Sequence, residues 1–306
     1  MIKLFILILA LLPTILFAEE EKHTNALSAG YFTSHDSENF DVKKIILGGT
    51  PLYQDAINFQ GIQAIDFSYS NADWSKSATQ INYINRSIDK KNWIGHDVNV
   101  GIKNLGHREL VTADMDYNFM LNEKTIGEVF FSRDYVETKK SLDNNIHYNY
   151  FGASIEERFL PDLTLIAMAS QHQFSDNNDR TNLKAKLIYN IFPEYGLNVQ
   201  LRHKRFTDSQ EPNGNYFNPD QYFENAFVVG YRKKFNGWML SGNAGLGRQK
   251  VNGDSMTTTK LFDIELMSPI ANKFYLDTKA GYSESAGFNG PDYKYQFLQA
   301  DFIYSF

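Results

Sequence analysis

The 306-residue chain contains no cysteine. A disulfide framework, a thiol nucleophile and lipid attachment through an N-terminal cysteine are therefore excluded. It has no excess of positive charge either: Lys and Arg number 30 against 36 Asp and Glu, a formal net charge of -6, so nucleic acid is not an expected partner. After residue 18 no apolar run is long enough for a helical membrane span. No block keeps a 3.6-residue period over a useful length, and no helical repeat of about 34 residues is present. The seven histidines (23, 35, 96, 107, 147, 172 and 203) fall in no metal-ligand spacing, and neither a metal nor a cofactor is expected.

What the chain does have is alternation. In Tyr293 to Phe306, YKYQFLQADFIYSF, the set Leu298, Ala300, Phe302 and Tyr304 is apolar or small, while Gln299, Asp301, Ile303 and Ser305 are mostly polar. Period two marks a strand with one apolar and one wetter face. Similar segments recur along the chain: Thr24 to Ser34, Val42 to Leu52, Gln60 to Ser70, Lys76 to Ser87, Ile94 to Lys103, Glu109 to Met120, Lys124 to Tyr135 and Asn145 to Phe159. They continue through Asp162 to Phe174, Thr181 to Phe192, Tyr195 to Phe206, Tyr222 to Phe235, Trp238 to Lys250, Thr257 to Met267 and Asn272 to Ser283. With the terminal strand, that is about sixteen, an even number as in bacterial single-chain membrane barrels. The mean hydropathy of -0.41 fits this class, because a barrel strand needs apolar residues only at alternate positions. The 24 Phe, 18 Tyr and 3 Trp suit the aromatic girdles of such barrels. The fold expected is an all-β, transmembrane, antiparallel up-and-down barrel.

Connections also alternate in kind. Short ones at Leu121 to Glu123, Leu160-Pro161, Pro193-Glu194, Asn236-Gly237 and Ser268 to Ala271 interleave with long polar ones at Val136 to Asn144, Ser175 to Arg180, Thr207 to Gln221, Val251 to Met256 and Glu284 to Asp292. Asn-Gly between two alternating runs is the strongest short hairpin signal. Short turns on one rim and long loops on the other match outer-membrane barrels, with the C-terminus on the periplasmic side. The N-terminal third follows this alternation least, and its second segment is open to being a loop or plug. Ahead of the barrel, residues 1–18 have Lys3 before the apolar Leu4 to Phe17 and end on Ala18, as a secretory signal peptide does. The barrel domain is then 19–306.

The chain's end resembles the C-terminal signal of bacterial outer-membrane barrels, in which a polar residue and a Gly precede two alternate aromatics. Gln299, Tyr304 and Phe306 match, and Asp301 stands where Gly is usual. The resemblance implies the outer membrane of a Gram-negative bacterium, with outer-membrane lipid and the barrel-assembly machinery as partners.

Parity assigns faces. In the strand from 195, Leu197, Val199 and Leu201 share the lipid side, and Asn198, Gln200, Arg202 and Lys204 the inner side. Adjacent strands add Lys184 and Lys186, then Arg232 and Lys234, so three consecutive strands place six cations on one inner wall. Other inward sets are acidic: Asp114 and Asp116, Asp263 and Glu265, Asp277, and Asp301. A basic wall facing acidic ones would set a transverse field across a water-filled lumen. Catalytic patterns are weak. His172 and His203 stand near the outer rim with Ser and Asp nearby, but no His-x-Ser pair accompanies them, and no catalytic residue is assigned. The glycines of GNAGLG (Gly242, Gly245 and Gly247) lie inside a strand with no helix following, which suits small residues beside bulky neighbours better than a phosphate loop.

One longer motif goes further: Tyr216-Phe217-Asn218-Pro219-Asp220-Gln221-Tyr222, a strand to Phe235, Asn236-Gly237-Trp238, and a second strand ending GRQKVNG. It resembles the C-terminal barrel of the outer-membrane subunit of bacterial cellulose synthases, with Asn218 in place of a Ser and Asp220 in place of a Gln. Related barrels occur in exporters of poly-N-acetylglucosamine and Pel polysaccharide and in stand-alone YaiO-type outer-membrane proteins. The resemblance implies a sixteen-strand barrel conducting a polysaccharide outward. The exporters' periplasmic helical-repeat region has no counterpart here, which leaves two alternatives: a separate periplasmic export partner supplies polymer recruitment, or the chain is a simpler pore. Three functions stay open: a pore for polysaccharide or another hydrophilic solute, with a general uptake porin as its nearest variant; an outer-membrane barrel enzyme; and an adhesive barrel with a blocked lumen.

Overall fold

The structure is a computed structural model that describes residues 24–271, 273–287 and 290–306; the expected signal segment 1–18 lies outside them. Sixteen strands follow one another: β1 (Thr24–Asp36), β2 (Phe40–Asp55), β3 (Asn58–Asn71), β4 (Trp74–Ile88), β5 (Gly95–Leu105), β6 (Arg108–Asn122), β7 (Thr125–Tyr135) and β8 (His147–Leu160). After them come β9 (Leu163–Phe174), β10 (Asp179–Phe192), β11 (Leu197–Asp208), β12 (Gln221–Phe235), β13 (Trp238–Val251), β14 (Thr257–Met267), β15 (Phe274–Gly287) and β16 (Gly290–Ser305). One short helix, α1 (Lys139–Asn144), interrupts the series between β7 and β8.

Each strand pairs antiparallel with the next, and β16 pairs back to β1 from Ala26↔Ser305 to Asp36↔Tyr295. The Phe306 N–H adds one more bond, donating to the Asn25 carbonyl at 2.9 Å. Closure leaves no strand edge unpaired, as hydrocarbon requires of any sheet that crosses it. Alternation then sorts the side chains. Ile81, Leu246 and Leu47 are 66%, 63% and 60% exposed on the outer face, among many other aliphatic residues. Exposed apolar area on this scale is a liability in water but is solvated by lipid chains. Tyr304 and Phe306 stack at 6.3 Å, and Tyr117 and Phe119 at 5.8 Å, part of an aromatic rim on the short-turn side. The fold is that of an outer-membrane β-barrel.

The expected boundaries hold best from β7 onward. Asn236 and Gly237 take φ of 49° and 85°, the positive pair that a two-residue hairpin between right-twisted strands needs. Two expectations are corrected. The second segment is a full strand, β2, neither loop nor plug; in this N-terminal third, where the alternation of short and long connections is weakest, the outer hairpins of the first six strands are as tight as the periplasmic turns. Asn39 (φ 61°), Ala72 (φ 42°) and Gly106 (φ 69°) turn the chain there in the left-handed region; Ala72 is not a residue from which such a turn is read. Nor is 284–292 a long loop, since β15 runs to Gly287 and β16 starts at Gly290.

Aromatic residues are not confined to the outer girdles. Phe40, Val42, Phe67, Tyr69, Ala78, Leu105, Leu110, Tyr135 and Leu142 form a buried apolar cluster inside the outer end of the barrel, along β2 to β7. Phe67 and Tyr69 stack at 6.0 Å, and Phe40 and Tyr69 at 6.3 Å. On the far wall, Phe206 and Tyr222 stack at 4.7 Å with Phe217 packed against them. The lumen thus has apolar cores at its outer end and polar walls below.

Candidate pore lumen and its outer mouth

The basic residues separate into two groups. Cross-strand register sets Lys184 opposite Lys204 and Lys186 opposite Arg202, so these four share one patch of inner wall. Arg202 donates from Nε to Gln200 Oε1 at 2.9 Å. The Lys204 ammonium stands 5.5 Å from the Phe206 ring centroid and 5.1 Å from that of Tyr222. Arg232 and Lys234 share the inward parity but lie at the exposed periplasmic end of β12, beside the Asn236-Gly237 turn. Arg202 pairs with Ala226; Arg232 is six residues further along, about 20 Å at 3.4 Å per residue. Alternation gives the face of a residue but not its height, so the single wall of six becomes a lumenal four and a rim pair.

The acidic residues flank the basic patch instead of facing it. Asp114 and Asp116 are on β6, Asp263 and Glu265 on β14, Asp277 on β15 and Asp301 on β16, three to six strands from β10 and β11 in a ring of sixteen. Directly across the ring stand β2 and β3 with their aromatic cluster. Most of these carboxylates are engaged locally. Asp263 accepts from Asn243 at 2.8 Å and Asp116 from Asn118 at 3.0 Å. Lys279 bridges Glu265 at 3.0 Å and Asp277 at 3.3 Å. Asp301 is the register partner of Asp277 and accepts from Gln299. Lys103, fully buried, pairs with Asp134 at 2.6 Å while its ammonium lies 4.0 Å from the Phe67 ring centroid. Lys44, Lys76, Arg86 and Arg180 likewise pair with Glu137, Asp143, Asp97 and Asp208. Among the described residues, no ion pair involves Lys184, Lys186, Arg202 or Lys204.

Two outer connections fold over the mouth and meet. The segment before α1 carries Glu137, which takes Lys44 at 3.0 Å and the Tyr69 hydroxyl at 3.1 Å. Enclosure opposes ionisation of Glu137, but Lys44 and Lys103 outweigh it and hold the carboxyl below its ordinary value. Thr138 caps α1, its hydroxyl accepting from the Ser141 N–H at 3.2 Å. Asn145 at φ 54° ends the helix. Leu142 plugs into the apolar cluster, and Trp74 and Lys76 reach up to Asp143 and the Leu142 carbonyl. The second connection, 209–220, contains the Tyr-Phe-Asn-Pro motif. Tyr216 stacks on Phe174 at 4.4 Å and donates to Asp176 at 2.9 Å; burial, with Asp176 adding to it, pushes this hydroxyl's pKa well above the ordinary tyrosine value. Asn218 donates to the Glu211 carbonyl at 3.1 Å, and Arg180 to the Phe217 carbonyl. The motif that carried the family resemblance is therefore the anchor of a loop. The two connections join at Asn215, whose carbonyl accepts from Thr138 at 2.6 Å and Ser141 at 2.9 Å and whose side chain accepts from Asn144 at 3.1 Å.

Nothing in the sequence pattern pointed to Glu137, Asn215 or α1. Six residues are too few for a helical period, and the only usable signal was Thr138 as a cap ahead of a polar run. His172 and His203 are not brought together. His172 faces inward, stacked on Tyr150 at 4.0 Å and Phe174 at 5.6 Å, whereas His203 faces outward beside Asn225 at 2.8 Å.

No protein-family model and no curated protein sequence matches the chain. Solved structures do. A structure described as a bacterial polysaccharide outer membrane secretin superposes with a TM-score of 0.68 at 13% identity, covering 94% of this chain and 100% of the other. OccK7 (OpdD) of Pseudomonas aeruginosa aligns with a TM-score of 0.45 at 10% identity over 93% and 100% of the two chains. OccAB3 of Acinetobacter baumannii does so with 0.44, again at 10%, over 93% and 99%. At these identities the first likeness is one of fold alone.

Proposed function

We propose that the protein is a pore of the Gram-negative outer membrane that conducts a hydrophilic solute, and that the solute is a polysaccharide. The observation that carries this is the inner wall. A sixteen-strand ring is wide enough for an aqueous channel, and here it is lined below its outer end by charged and amide side chains. Lys184 is exposed although it faces inward, so it meets lumenal water. The shared fold with a polysaccharide secretin supports the choice of solute. On this reading residues 1–18 direct export, the barrel-assembly machinery inserts the chain, and a periplasmic partner delivers the polymer.

The loops joined at Asn215 favour a second reading, an adhesive barrel whose mouth is closed and whose outer surface binds a partner. Conductance separates the two. Folded protein in planar lipid bilayers should pass current in discrete steps, and opening events should lengthen when Asn215 contacts are removed. Absence of current from both the wild type and a variant with its loops released would defeat the pore reading.

A further inference from the structure

We infer that Lys184, Lys186, Arg202 and Lys204 form a lumenal binding site for a multivalent anionic saccharide, one that carries carboxylates along its chain. The inference rests on the pore reading for its physiological setting but on its own geometry for the site. Opposite like charges in a cross-strand pair are destabilising, and here two such pairs lie side by side, Lys184↔Lys204 and Lys186↔Arg202.

Elsewhere in the lumen the same chain supplies a carboxylate to its cations, as at Lys44, Lys103 and Arg86. The nearest candidates here are turned to other work. Glu224 is the register partner of Lys204, yet its two oxygens accept from Tyr222 at 3.0 Å and Thr259 at 2.7 Å. Asp263 accepts from Asn243, and Glu156 is two strands from Lys186, beyond Ile166.

The dimensions set the ligand class. Side chains two apart on one strand are about 7 Å apart and neighbours across the ladder about 5 Å. Four cations on such a grid suit several anionic groups held at the spacing of successive sugars better than a single small anion. Three are lysines, which act as mobile point charges and not as fixed forks, and mobile charges suit a chain that slides. The aromatic column beside the site does not add sugar platforms. Tyr150, His172 and Phe174 stack face to face, so their faces are already covered.

The test uses full-length folded protein in planar bilayers with trigalacturonate as probe, against maltotriose and inorganic phosphate. Trigalacturonate should interrupt the current, and Lys184→Gln with Arg202→Gln should raise its half-blocking concentration tenfold or more. Arg232→Gln with Lys234→Gln, at the rim, should raise it less than threefold. Maltotriose blocking as well as trigalacturonate would overturn the charge assignment, and phosphate competing as well would overturn the saccharide. An unchanged half-block in the Lys184/Arg202 variant would overturn the site. Should neither the wild type nor a variant with its loops released pass current, calorimetric titration of trigalacturonate into the detergent-folded protein decides separately. Binding lost in the Lys184/Arg202 variant would uphold the site while the pore reading falls, and absence of binding would overturn both.

Discussion

Thr138→Ala combined with Ser141→Ala should release the outer loops while leaving the barrel intact. Thr138 does two things: its hydroxyl donates to the Asn215 carbonyl at 2.6 Å and caps α1 by accepting from Ser141. Ser141 donates to the same carbonyl at 2.9 Å from a fully buried position. Each lost hydrogen bond is worth about 0.5–1.5 kcal/mol and the lost cap about 0.5–2 kcal/mol. The pair should therefore weaken docking by roughly 2–4 kcal/mol. That shifts the docked–undocked equilibrium roughly 30- to 700-fold. Hydrogen exchange read on the peptide spanning 136–146 measures it directly, because the Leu142 and Ile146 amides donate to Thr138 and Ser141 carbonyls only in the docked helix. Exchange should accelerate there and stay unchanged in the strands. If the loop's protection survived in a folded double variant, the Asn215 junction would not be what holds it, and Leu142 in its apolar socket would be left as the anchor.

Two further outcomes follow from face and charge. Leu201, 58% exposed between Leu187 and Phe227 on the lipid side, should tolerate Lys poorly, at a cost of about 2–4 kcal/mol near the membrane midplane. Lys184→Leu on the lumen side should change stability by less than about 0.5 kcal/mol; equal costs by chaotrope unfolding in vesicles would reverse the face assignment. Glu137 is held below its ordinary value, so its contribution is present above the unfolded glutamate pKa of about 4.3 and is lost as pH falls through the lower folded value. Docking should therefore hold at pH 5 and loosen below about pH 4, followed through the fluorescence of Trp74, which bonds to Asp143 in α1. Glu137→Gln should move that transition, and an identical midpoint would remove Glu137 from the mechanism.

The barrel was legible because closure and alternation are both written at period two. Tyr304, Phe302, Ala300 and Leu298 share the outer face of β16 as their spacing required, and the sixteen strands follow from segments of that kind. What period two cannot carry is height and crowding. Arg232 has the parity of Arg202 yet stands at the rim. Gln200 has the parity of an open lumenal residue yet is 7% exposed, because it lies with Asn198 over Gly230. A Cβ at Gly230 would meet the Asn198 Oδ1 at 2.3 Å and the Gln200 Nε2 at 2.7 Å. A substitution at Gln200 would therefore be costly, although parity alone makes it look harmless. The mouth was illegible for a different reason. The contacts that join its two connections link residues more than seventy positions apart, such as Thr138 and Asn215, and no local pattern encodes a pairing of that range.

The two features of the lumen are not independent, and one ring connects them. Phe206 has the Lys204 ammonium 5.5 Å from its centroid and the Arg180 guanidinium at 4.4 Å. Arg180 is also the clamp of the second outer loop, paired with Asp208 at 3.0 Å and donating to the Phe217 carbonyl. The face of Phe206 attracts a cation through its quadrupole, so the position of one bears on the other. Drawing Lys204 down toward a solute anion leaves Phe206 to Arg180 alone, and moving Arg180 away with the loop frees the ring for Lys204. The basic patch and the clamp of the docked loop thus share a single side chain. Lys204 has Glu224 as its register partner, but the oxygens of that carboxylate accept from Tyr222 and Thr259, whereas Lys103 pairs with Asp134. The Lys204 ammonium lies over the ring that the loop clamp also uses, so the basic wall and the mouth meet at one aromatic side chain.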